Sequence, residues 1–169
     1  MFMVVREILL LGDQRLRDKS TIVEDPTKLG DVYHDLRDTL HHHQKMTGSG
    51  RGIAAPQIGY FQQVVYVETP EFTSFLVNPE ITEKSEEMFQ VWDGCLCFKG
   101  AFYVKIPRHE RITVEYLDEL GLRHSRVFEG TYAELMQHEI DHLHGVLAVD
   151  HLEDPKNIIM REELKKLQT

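Results

Sequence analysis

Cysteine is scarce in this chain: Cys95 and Cys97 are the only two among 169 residues, separated by one leucine. Such a pair cannot staple a fold, and a reducing compartment is the simpler setting for it. Long apolar runs are missing as well. No stretch approaches the roughly 20 residues that a membrane span requires, and Arg6 and Glu7 bring charge too early for a secretory leader. Nor is there a basic block. With 28 acidic against 19 basic residues and a formal net charge of −9, a broad grip on nucleic acid is excluded. No internal repeat, low-complexity tract or interdomain linker interrupts the chain. These absences lead to the expectation of one domain over residues 1–169, free of membrane and cytoplasmic, or organellar after removal of a transit peptide.

What is present is a hydrophobic content of 41%, enough at this size to bury a site within a core. Within it stands Gln137-His138-Glu139-Ile140-Asp141-His142. On a helix, residues four apart share a face, so His138 and His142 can grip one metal ion. Glu139 is turned off that axis, near enough to act on a water without filling a ligand position. This is the layout of a metal-dependent hydrolase.

The pattern around the motif gives its frame. Leu29, Val32, Tyr33, Leu36 and Leu40 predict an amphipathic helix over about residues 27–45, ended by the glycine-dense stretch 47–52. Gln63 to Val67 and Phe75 to Val77 read as strands, the second closed by Asn78-Pro79. Arg111 to Tyr116 alternates as a half-buried strand and turns through residues 118–121 into another, Leu122 to Phe128. The motif helix is expected to start at Gly130-Thr131, with Thr131 and Glu134 as a capping box, and to stop by Gly145. A last helix is expected from Pro155 to Leu167, burying Ile158, Ile159, Leu164 and Leu167. Strands followed by a central helix indicate an α+β fold, with short mixed or antiparallel sheets around the H-E-x-x-H helix and a C-terminal helix.

A third ligand has several candidates. The extended pattern H-E-x-x-H-x-x-G-x-x-H finds Gly145 but fails at Ala148, and Glu162 or Glu163 on the last helix would have to leave solvent. Cys95, in Trp92-Asp93-Gly94-Cys95-Leu96-Cys97, is the better donor: a thiolate with two imidazoles leaves one position open.

Three blocks then resemble those of peptide deformylases: Gly50-Arg51-Gly52-Ile53-Ala54-Ala55-Pro56-Gln57, Asp93-Gly94-Cys95-Leu96-Cys97 and His138-Glu139-Ile140-Asp141-His142. The family patterns are G-h-G-h-A-A-P-Q, E-G-C-h-S and H-E-h-D-H, with h apolar, and their order and separation match here. Ile106-Pro107-Arg108 and Ile8 to Asp13 extend the likeness to nearly the whole chain. The resemblance implies that Cys95, His138 and His142 hold one divalent ion, ferrous iron being expected, with zinc, nickel and cobalt also suited to the donors. It implies that Glu139 takes a proton from the attacking water and delivers it to the leaving amine. Gln57 and the Leu96 N–H would stabilise charge on the formyl oxygen, and Gly50 and Gly52 would offer backbone to an extended peptide. The implied reaction removes the formyl group from N-formyl-methionyl nascent chains and releases formate, with transient contact to a ribosome as an associated expectation. Asp141 would fix an arginine such as Arg108, or stand as a surface carboxylate.

The chain departs from the family at three places. Arg51 stands where the family is apolar, beside the methionine pocket, and Glu134 on the same stripe as His138 could pair with it. Arg51 could equally swing into solvent. Asp93 replaces glutamate. Cys97 replaces serine and is expected to be a buried inert residue, the alternative being a second thiolate that closes the metal site. These departures keep two rivals in view: an amidase of shifted acyl or side-chain specificity, and a catalytically silent homologue. His41-His42-His43 lie at a helix end and face different directions, so no functional metal site is expected there; His144 and His151 are expected to be surface histidines, and Trp92 a core anchor or a wall of the cleft.

Overall fold

The computed structural model describes residues 3–167; Met1 and Phe2 of the opening segment, and Gln168 and Thr169 of the expected 1–169 domain, lie outside them. Eight strands run in chain order as β1 (Gly52–Ala54), β2 (Val64–Glu68), β3 (Thr73–Lys84), β4 (Met88–Asp93), β5 (Phe102–His109), β6 (Arg111–Leu117), β7 (Arg123–Glu129) and β8 (Ile158–Met160). Three α-helices accompany them: α1 (Gly30–Thr47), α2 (Gly130–Leu143) and α3 (Arg161–Leu167). One sheet has the order β1-β2-β3-β6-β7 and the other β4-β5-β8, and each pairing is antiparallel. The architecture is α+β. Among the described residues no helix is long and apolar enough to cross a membrane.

Alternation along β2 and β3 decides the layering. Val65, Val67 and Leu76 face α2 through Met136, Ile140 and Leu143. Val64, Tyr66, Phe75 and Val77 face α1 through Tyr33, Leu36 and Leu40. A strand covered on both sides reads as a continuous apolar run, which is why Val64-Val65-Tyr66-Val67 carries no polar residue. Burial of each such side chain contributes roughly 1.5–3 kcal/mol. A third apolar cluster, with Leu9, Leu16, Val104, Ile106 and Leu147, backs the smaller sheet and includes both cysteines.

Three sequence expectations are corrected. Asn78-Pro79 does not close its strand: β3 continues to Lys84, and a register shift between Val77 and Glu80 absorbs the proline where its missing N–H costs no ladder bond. Residues 158–160 form a strand against β5 rather than the first turn of a helix, so Ile158 is exposed; Leu164 is buried and Leu167 is not. At the start of α2 the Thr131–Glu134 capping box does not form, because Glu134 is drawn to Arg51. Strands β4 and β5 were not legible. Pro107 in β5 argues against a strand, yet β8 pairs only with Phe102 to Val104, so the proline faces no partner on that side.

Asn78 holds the shifted register. Its φ is +48°, its Oδ1 accepts from the Val23 N–H at 2.9 Å and its Nδ2 donates to the Val23 carbonyl at 2.8 Å. Asn78→Ala removes both bonds and keeps a left-handed backbone that alanine resists, so we expect a loss of about 2 kcal/mol or more in urea unfolding. An unchanged midpoint would refute this account of the bulge.

Candidate metal centre and cleft

Helix α2 runs through the interior, with every residue from Ala133 to Ile140 buried. Its apolar stripe binds it to the larger sheet, which leaves His138, Glu139 and His142 directed at the base of a cleft of about 220 Å³ that His138, Glu139 and Cys95 help to line. Cys95 arrives from the other sheet. It follows β4 by one glycine and caps the 3-10 turn Leu96–Phe98, its sulfur accepting from the Cys97 N–H at 3.4 Å. Gly94 allows this course: a Cβ there would lie 2.5 Å from the Tyr103 ring.

The donor atoms converge. His142 Nε2 lies 3.3 Å from Cys95 Sγ and 3.2 Å from His138 Nε2. A divalent ion with bonds of about 2.0–2.3 Å to nitrogen and sulfur has tetrahedral edges of roughly 3.3–3.6 Å, so both of these separations suit a shared metal ion. Cys97 is closer to the cluster than an inert core residue would be: its sulfur, that of Cys95 and the His142 ring nitrogen lie within 4.8 Å of one another. Glu162 and Glu163 are exposed on α3, far in character from buried ligands.

Charges below the donors orient them. His138 Nδ1 is 2.7 Å from Asp93 Oδ1, though not aligned as a hydrogen bond. Arg108, buried, reaches Asp93 Oδ2 at 2.9 Å and Asp141 Oδ2 at 2.6 Å. His151 Nε2 lies 2.8 Å from the same Asp141 oxygen. His151 is therefore no plain surface histidine; its contact spans ten residues and leaves no local sequence signal. Burial would lower the His138 pKa, but Asp93 overcomes this and raises it to about 9. Burial and the neighbouring His138 push His142 down to about 3. Burial raises Glu139 to about 7, and its Oε2 has no hydrogen-bond partner among the described residues.

Gly52 makes room for that carboxylate, since a Cβ on it would stand 2.8 Å from Glu139 Oε1. Gln57 Oε1 accepts from the Ala54 N–H at 2.7 Å, which turns its amide nitrogen toward the sulfurs of Cys95 and Cys97, at 3.6 and 3.4 Å. At the mouth, Arg51 donates to Glu134 at 2.6 Å and to the Thr131 carbonyl at 3.0 Å; both Arg51 and Glu134 line the cleft, with Gly50 and Leu96. Trp92 is half-buried and forms a cleft wall rather than a core anchor, and His43 lines the same cleft. His41 instead pairs with Glu68 at 2.6 Å on the surface.

A thiol, two imidazoles and a buried carboxylate at the base of an open cleft are the parts of a metal-dependent hydrolase. The family model Polypeptide deformylase matches residues 5–157. A peptide deformylase 2 of Clostridium acetobutylicum is 40% identical over 149 residues, covering 88% of this chain and 95% of that protein. Peptide deformylase 3 of Shewanella oneidensis is 35% identical over 97% of this chain and 99% of its own length. The crystal structure of a peptide deformylase from Legionella pneumophila superposes with a TM-score of 0.81 at 34% identity, covering 98% of each chain. The chain belongs to the peptide deformylase family, whose members are metalloenzymes that hydrolyse the formyl amide of formylated nascent peptides.

Metal uptake by these donors must compete with protons. With the His138 pKa at about 9 and the Cys95 thiol pushed up by burial, binding below that pH expels protons. Zinc affinity of the metal-free chain is expected to climb steadily from about pH 6 to about pH 9, with proton release measurable by calorimetry in buffers of different ionisation heat. A pH-independent affinity would mean that these are not the ligands.

Proposed function

We propose that this chain removes the formyl group from the N-terminal methionine of newly made peptides, acting as one catalytic unit in the cytoplasm. The observation that carries the proposal is the buried Glu139 carboxylate beside the Cys95–His142–His138 cluster. Cys95, His138 and His142 are the ligands in this reading, and ferrous iron the expected native ion, with zinc, nickel and cobalt compatible. The bound ion supplies a Lewis acid at the base of the cleft.

The chain's own groups supply the rest. Glu139, with a pKa of about 7, can take a proton near neutrality and return it to the departing amine. The Gln57 amide is held by Ala54 with its N–H groups toward the sulfurs. Leu96 opens a 3-10 turn, so its N–H has no partner within that turn. Together they are the donors for a formyl oxygen as it gains charge, each typically contributing a few kcal/mol. Strand β1 is an edge of its sheet, and with Gly50 and Gly52 on the cleft wall it suits an extended peptide. Nascent chains reach such a cleft at the ribosome, which implies transient contact there.

Formate release from formyl-Met peptide, compared with formyl-Leu and acetyl-Met peptides, tests the activity. Glu139→Ala is expected to retain the metal and lose at least about a hundredfold in turnover; substantial residual hydrolysis would sink the assigned role. The Arg51–Glu134 pair puts charge where a methionine side chain would lie, which supports a weakened preference for methionine. Replacing both residues by isoleucine should raise discrimination for formyl-Met over formyl-Ser peptides by about tenfold in kcat/KM. An unchanged ratio would place the pair outside the specificity pocket.

A further inference from the structure

Cys97 takes no part in the proposed reaction, yet its sulfur lies within 4.8 Å of both Cys95 Sγ and a ring nitrogen of His142. The two cysteines are folded toward each other. The Cys97 N–H donates to Cys95 Sγ at 3.4 Å, and the Gln57 amide nitrogen reaches both sulfurs. Leu96 between them begins a 3-10 turn, which shortens the Cα separation to about 5.5 Å, inside the range that a disulfide accepts. Exposure is unequal. Cys95 lines the cleft, while Cys97 is 1% exposed behind it and is absent from the cleft wall. A small oxidant entering the cleft therefore meets Cys95 first.

We infer that Cys97 is a resolving thiol that makes oxidation of the metal-ligating Cys95 reversible. The oxidant is a peroxide, represented by hydrogen peroxide. The Cys95 thiolate attacks its O–O bond, keeps one oxygen as a sulfenic acid and releases hydroxide, which is protonated to water. The Cys97 thiol then attacks the sulfenic sulfur. The S–S bond forms, the S–O bond breaks, and the oxygen leaves as a second water carrying the Cys97 proton. Two thiols have lost two electrons and one peroxide has become two waters. Without a thiol in reach, sulfenic acid proceeds to sulfinic acid, which ordinary thiols do not reduce. The serine of the family pattern at this position could not intercept it. A disulfide also removes the sulfur ligand, so the ion is released until a dithiol restores the pair.

The inference rests on Cys95 as a metal ligand. The test uses the full chain loaded with zinc, which does not itself exchange electrons, and titrates it with hydrogen peroxide. Zinc release is followed with a metallochromic dye, thiols are counted, and intact mass is recorded before and after dithiothreitol. The wild-type chain is expected to release zinc, lose both thiols and two hydrogen masses, and recover most of its zinc uptake on reduction. Cys97→Ser and Cys97→Ala should release zinc while gaining two or three oxygen atoms, with recovery several-fold lower. A wild-type chain that gains oxygens as readily as either variant would overturn the inference. So would one that releases zinc with both thiols intact. A Cys95→Ser chain that retains zinc as tightly as wild type would instead overturn the ligand assignment beneath it, and the two failures are told apart by that variant.

Discussion

A buried arginine holds the two halves of the site together. Cys95 comes from the loop after β4, and His138 and His142 from α2, so no local segment fixes the distance between sulfur and imidazoles. Arg108, on β5, spans the gap: one side of its guanidinium binds Asp93 at the end of β4, the other binds Asp141 within the helix motif. Arg108 is 3% exposed and Asp93 wholly buried. Charges so placed are expensive to desolvate, and removal of one partner typically costs 3–5 kcal/mol because the other is left uncompensated. The network persists because each member answers another, with His151 completing Asp141 from the far side.

That network also sets the electrical character of the donors. Burial would raise the Asp93 pKa, yet His138 and Arg108 hold it down to about 2. The resulting fixed carboxylate orients the His138 ring so that Nε2 points at the cluster. His142 has no such anion against its ring, and its Nδ1 is unpartnered among the described residues, so burial keeps it neutral. The two imidazoles of one motif therefore differ: one is oriented by a charge, the other is held neutral by burial. Shortening glutamate to Asp93 keeps this contact, since Asp93 reaches both His138 and Arg108 from a backbone position adjacent to Gly94.

The site was more legible in the sequence than the sheets that carry it. His138, Glu139 and His142 lie within five residues, and helical geometry alone puts them together. Cys95 stands out only by its donor chemistry and by elimination of other third ligands, and the three separated blocks then support it, because its partner is 47 residues away. The two-sided burial of β2 announced itself as an uninterrupted apolar run. In contrast, β4 mixes exposed and half-buried positions, and β5, although it alternates half-buried with buried residues, carries a proline. The C-terminal segment hides its strand for a related reason: Ile158 and Ile159 look like the start of a helical stripe, whereas β-branched side chains suit the strand that β5 templates. Asn78-Pro79 looks like a strand end, because asparagine prefers a turn and proline restricts the residue before it. The structure uses that preference inside a strand, where Val23 supplies the missing partners. Contacts at long sequence range, such as His151 with Asp141, had no local pattern to reveal them.

The distribution of departures along the cleft has its own logic. At the base, Asp93 and Cys97 also depart from the family pattern, yet Asp93 still reaches His138 and Arg108, and even a methyl on Gly52 would press into the Glu139 carboxylate. At the mouth, the requirement is only to exclude water and admit a side chain, which different surfaces can satisfy. Arg51 and Glu134 occur there as a matched pair, one half exposed at 45% and the other nearly buried at 10%. Glu134, nearly buried, would be left poorly compensated without Arg51, so it depends on its partner more than the exposed Arg51 does. They also bear on the chemistry, since Glu134 favours and Arg51 opposes a higher pKa at Glu139. Because the pair carries opposite charges, it makes the cleft mouth polar while the effects of its two members on the buried carboxylate oppose each other.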